Sequence, residues 1–142
     1  MDHDIERRFY VEKIMDFVDA LEGASDLQLA DDNRVLFRVE GRPYDALAWI
    51  DKDSDMLCIT TRTADMPVEK FEEAVKMLQA NLETCWEYCV AVSAVEQRYD
   101  LSMALFIGGF TFEAFEAVIH NLLNCAEAIE TGHKKKEAGK GE

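Results

Sequence analysis

Proline and glycine are scarce in this chain, which holds two prolines (Pro43 and Pro67) and seven glycines in 142 residues. Such a composition is that of an ordinary globular protein rather than a disordered one. Histidine is scarcer still. His3, His120 and His133 are too few and too scattered to form a catalytic or ligand set. Basic residues number 15 against 29 acidic ones, for a net charge of −14, and four of those lysines lie in the last nine positions. A surface that negative repels phosphate backbones and anionic lipid. Nucleic acid and membrane are therefore expected to be poor partners, and a basic or apolar polypeptide a better one.

No apolar run approaches the roughly 20 residues of a membrane span. The N-terminus reads Met-Asp-His-Asp-Ile-Glu-Arg-Arg, charged where a signal peptide would be apolar, so the protein is expected in the cytoplasm. Of the four cysteines (Cys58, Cys85, Cys89, Cys125), only Cys85 and Cys89 are close, and their spacing matches neither a Cys-x-x-Cys redox pair nor a zinc knuckle. They are expected to be reduced thiols inside apolar segments.

Against those absences, the chain is 49% hydrophobic and 31% charged, the balance of an ordinary folded domain. Residues 1–132 are expected to form that single domain, and residues 133–142 a disordered basic tail. Val11, Ile14, Met15, Val18 and Leu21 recur at three- and four-residue steps, which predicts a first amphipathic helix ended by Gly23. Three β-rich runs follow at 34–40, 44–50 and 56–62. Gly41-Arg42-Pro43 and the acidic turn Asp51-Lys52-Asp53-Ser54-Asp55 separate them, the pattern of an antiparallel meander. A weak extra strand at 27–29 can pair at the edge.

Pro67 is placed to open a second helix behind an Asp65 cap, with Phe71, Ala74, Val75, Leu78 and Leu82 as its apolar stripe. Residues 83–95 read two ways. Leu82, Cys85, Trp86 and Cys89 fit a continued helix, but the valine-rich alternation favours a strand after about Trp86, with Trp86, Tyr88, Val90 and Val92 on one face. Another strand is expected at 101–107, broken by Gly108-Gly109. Thr111 can cap a third helix that carries Phe112, Phe115, Val118, Ile119, Leu122, Ala126 and Ile129 and ends at Gly132. The fold class is α+β: an antiparallel sheet of about five strands with three helices mainly on one face, in the order α-β-β-β-α-β-β-α.

Sites of chemistry fail in turn. Asp51, Asp53 and Asp55 resemble the opening of a calcium loop, but Met56 stands where the loop needs glycine and Arg62 where it needs glutamate. His120, between Ile119 and Leu122, reads as a partly buried structural residue rather than a general base. Ser93 and Ser102 lie in strand runs without a Gly-x-Ser-x-Gly elbow. Gly108-Gly109 lacks the further glycine or Gly-Lys-Ser/Thr ending that binds phosphate. No catalytic residue, cofactor or metal is expected.

What remains is an aromatic and apolar surplus. Three helices cannot cover both faces of the sheet, so one sheet face or the second helix is expected to pair with another chain. This points to a homodimer or a polypeptide-binding surface, with Trp49, Trp86, Tyr88, Val90 and Val92 as candidates. A small-molecule-binding regulator with Trp49, Trp86 and Phe110 around a pocket is the alternative. A hydrolase built around His120 ranks last.

The run Arg98-Tyr99-Asp100-Leu101-Ser102, through Leu105-Phe106-Ile107-Gly108-Gly109 to Thr111-Phe112-Glu113-Ala114-Phe115, is similar to the strand, turn and final helix of YbjN-like proteins. Leu36-Phe37-Arg38-Val39-Glu40-Gly41 resembles their first-strand region. Over about residues 5–131 the chain resembles the type III secretion chaperone-like fold that these proteins share with class I secretion chaperones. The resemblance implies a homodimer without catalytic activity that holds a partner's extended segment against strands and apolar patches. A regulatory or adaptor role is the competing implication.

Overall fold

The computed structural model describes residues 3–31, 34–51 and 55–140. Among them three α-helices and six strands follow in the order α1 (His3–Ala20), β1 (Ala24–Asp31), β2 (Arg34–Val39), β3 (Ala46–Ile50), β4 (Met56–Arg62), α2 (Phe71–Glu87), β5 (Ala91–Val95), β6 (Arg98–Phe106) and α3 (Phe112–Lys140). The strands form one antiparallel sheet in the order β1-β2-β3-β4-β6-β5. The class is α+β, as the sequence periodicities indicate.

Strand alternation selects the inner face. Val35, Phe37, Ala46, Ala48, Ile50, Leu57, Ile59 and Leu101 are buried against Val11, Ile14 and Val18 of α1 and Phe115, Ile119, Leu122 and Ile129 of α3. α1 lies across β1 to β3, α3 across β4 and β6, and α2 beside α3 and β5. Gly23 follows α1 at φ 83, the left-handed region that favours glycine, and a Cβ there would press within 3.3 Å of the Glu40 side chain. Thr111 caps α3 as expected, its Oγ1 accepting from the Ala114 amide at 3.2 Å.

Several expectations are corrected by tertiary contacts. The weak strand at 27–29 is the middle of β1, an eight-residue edge strand with register shifts on either side of Gln28–Leu29. α2 begins at Phe71, four residues after Pro67. The chain just before Pro67 is tied to the β5–β6 hairpin instead, because the Thr63 amide donates to Tyr99 O at 2.9 Å and the Met66 amide to Gln97 O at 2.6 Å, and Met66 is buried. Asp65 caps nothing and pairs instead with Arg62. β6 starts at Arg98, and Ile107–Gly109 form a 3-10 turn.

The ambiguous segment is resolved as helix first and strand second. α2 runs through Trp86 to Glu87, where the Cys89 amide donates to Trp86 O at 3.1 Å and the Val90 amide to Cys85 O at 2.9 Å. This is the Schellman arrangement, with Cys89 at φ 57 in the left-handed position usually given to glycine. A strand face shared by Trp86, Tyr88, Val90 and Val92 is thereby excluded. At the far end, α3 passes through Gly132 and continues to Lys140, so residues 133–140 are helical where a disordered tail was expected. Lys52, Asp53 and Ser54 of the acidic turn lie outside the described residues.

Candidate partner-binding surface

Along α2, Phe71, Val75, Leu78, Leu82, Cys85 and Cys89 recur at alternating four- and three-residue steps, the spacing of a helix–helix seam. Such a stripe normally turns inward. Here it turns largely outward: only Asn81 and Cys85 of the 17 helix residues are buried, while Phe71 is 83% exposed, Leu82 46% and the adjoining Trp86 85%. Among the described residues the buried Asn81 Nδ2 amide has no hydrogen-bond partner.

The seam's N-terminal end borders a groove of about 240 Å³ between α2 and the β5–β6 turn, lined by Met66, Phe71, Val75, Leu78, Arg98 and Tyr99 among others. It is smaller than the roughly 300–1,000 Å³ of drug-sized ligand pockets. An apolar side chain fits such a groove better than a cofactor does. Among the described residues β5 pairs with β6 alone, so it forms one edge of the sheet, beside α2.

The sheet face away from the helices carries Leu36, Leu47 and Trp49, each half-buried, with Phe106 62% exposed near the β4–β6 end. Trp49 stands in a cross-strand row between Arg34 and Cys58. The five sequence candidates are thus dispersed. Trp86 lies on the exposed side of α2 and Trp49 on the open sheet face. Tyr88 closes α2, with its carbonyl accepting from Asn121 Nδ2, and is half-buried like Val92, whereas Val90 belongs to the core. Phe71, Val75 and Leu82 complete the exposed apolar seam. Their heptad-like spacing was the available signal, but spacing alone does not say which way a helix faces.

Phe110 is buried among Tyr10 and Phe17 of α1 and does not line the groove; neither does either tryptophan, so the three do not enclose that site. His120 is exposed rather than partly buried, because the α3 face that packs inward passes through Ile119, Leu122 and Cys125. Among the described residues no three His, Cys, Asp or Glu side chains converge to hold a metal, and no helix is long and apolar enough to cross a membrane. The four cysteines are free thiols. Cys85 and Cys125 meet where α2 crosses α3, with sulfurs 3.9 Å apart.

Residues 14–130 of the chain match the model of the Tir chaperone protein (CesT) family. The chain belongs to the Tir chaperone protein family. No curated protein matches it. Among the solved structures similar to this family member are the following two. A protein from Methanothermobacter thermautotrophicus is 15% identical with a TM-score of 0.71, covering 88% of this chain and 96% of that one. A chain of the ExsC–ExsE complex is 16% identical with a TM-score of 0.55, covering 89% and 92%. At those identities they establish the shared fold.

Proposed function

We propose that this Tir chaperone family member is a non-enzymatic, cytoplasmic chaperone or adaptor that acts as a homodimer and holds a segment of another polypeptide. The observation that carries the reading is the outward apolar seam of α2, Phe71, Val75, Leu82 and Trp86, on a chain whose net charge is −14. A seam of this kind is covered most simply by the same seam of a second copy, since an isologous contact pairs like with like. That leaves the β5 edge and the open sheet face carrying Trp49 for an extended client, held by main-chain hydrogen bonds and side-chain pockets. The family supports this reading, and a chain of the ExsC–ExsE complex shares the fold.

Charge separates the two contacts. Two copies of an acidic chain repel, so their association across an apolar seam should strengthen as salt screens the repulsion. Binding of a basic, apolar client should weaken under the same change. Sedimentation of the wild-type chain is expected to give twice the chain mass, and Leu82→Glu with Trp86→Ser is expected to give a monomer with unchanged helical circular dichroism. Polarisation of a labelled basic, apolar peptide should rise on adding the protein at low salt. A wild-type monomer that leaves the peptide's polarisation unchanged would sink the proposal.

A further inference from the structure

We propose that Cys85 of α2 and Cys125 of α3 form an oxidation site, at which a peroxide closes an intramolecular disulfide that clamps α2 onto α3. The inference stands on their geometry and is independent of what covers the α2 seam. Both thiols are buried at the helix crossing, their sulfurs are 3.9 Å apart, and they are separated by 40 positions in sequence. A disulfide needs about 2.05 Å between sulfurs, so a gap of roughly 2 Å must close. α2 is suited to give that movement, because Asn81 and Cys85 are its only buried residues.

The two thiols are not equivalent. The Cys125 S–H donates to the Cys85 sulfur, which favours the Cys85 thiolate and holds the Cys125 thiol well above its ordinary value. Cys85, carried by the helix with only two buried residues and accepting the Cys125 S–H, is the first nucleophile. Its thiolate attacks one oxygen of hydrogen peroxide, the O–O bond breaks, and the departing hydroxide takes up a proton to leave as water, giving the Cys85 sulfenic acid. The Cys125 sulfur then attacks the Cys85 sulfur, the S–O bond breaks, and a second water carries away the hydroxyl with the Cys125 proton. Two thiols lose two electrons and one peroxide gains them. A thiol reductant reverses the bond by exchange.

The bond would close a loop through β5, β6 and the first turns of α3, which restricts the unfolded chain and ties α2, with its two buried residues, to the core. Cys89, exposed one turn beyond Cys85, is the competing target. The test treats the full wild-type chain with hydrogen peroxide, blocks remaining thiols under denaturing conditions, and maps the digest by mass spectrometry. The expected result is a peptide joining Cys85 to Cys125, lighter by two hydrogens. The midpoint of thermal unfolding should rise by several degrees and return to its starting value with reductant. Cys89→Ser should leave both results intact. Cys85 and Cys125 both still alkylatable after peroxide, a bond from either to Cys89 or to another chain, or a cross-link without a rise in midpoint would each overturn the proposal. Because the wild-type chain carries the decisive measurement, it does not depend on whether Cys85→Ser or Cys125→Ser folds.

Discussion

Arg42, in the turn after β2, forks onto Glu130 of α3, with Nη1 2.5 Å from one carboxylate oxygen and Nη2 3.2 Å from the other. The same Nη2 donates to Arg62 O, and the carboxylate accepts the Ala64 amide as well, so one largely buried ion pair fastens the end of β4 and the chain leading to α2 onto the last helix. Arg62 stacks 4.5 Å from the Tyr44 ring beside it. Removing one partner of such a pair strands the other, at a cost of about 3 kcal/mol. Glu130→Ala is expected to lose about that much in urea unfolding, and Arg42→Ala/Glu130→Ala to recover part of it. A fully additive double variant would refute the coupling.

Cys89 holds a left-handed backbone conformation at φ 57, where a side chain costs roughly 1 kcal/mol relative to glycine. Its thiol is exposed. Cys89→Gly should raise stability by about 1 kcal/mol in chemical denaturation. A loss of stability would show that the thiol makes an interaction outweighing the backbone strain.

Phe115 is fully buried between Phe17 of α1, at 5.8 Å between ring centroids, and Phe37 of β2, at 6.2 Å. It joins both large helices to the sheet. Phe115→Ala should cost about 4 kcal/mol, a large part of the roughly 5–15 kcal/mol typical of a domain. The expected readout is a thermal midpoint lowered by many degrees, and a shift of only a degree or two would mean that the core closes over the gap.

Cys58, on the open sheet face beside Trp49, has its thiol pKa raised, first by burial and then by the Asp51 carboxylate. Below the ordinary thiol value the group is neutral in folded and unfolded chains alike, and its contribution to stability is fully present. As pH climbs from that value towards the raised one, the unfolded chain ionises first and the contribution is lost. Unfolding midpoints measured across alkaline pH should therefore fall less steeply for Cys58→Ala than for the wild-type chain. Parallel profiles would contradict the shift.

Local chemistry determined most of the fold. The period of α1 and α3, the alternation of β2 to β4, Gly23 and the Thr111 cap all express preferences settled within a few residues, and the structure keeps each of them. The start of α2 was decided elsewhere, because Met66 gains burial and pairing with Gln97 that Pro67's preference for a helix start cannot match. The outward turn of Phe71, Val75 and Leu82 was one of two alternatives left open, beside an uncovered sheet face, by a pattern that looks the same whether the seam meets a core or a partner. The meeting of Cys85 with Cys125 was invisible in sequence. Periodicity reports which residues share a face, and only the packing of distant segments decides what that face confronts.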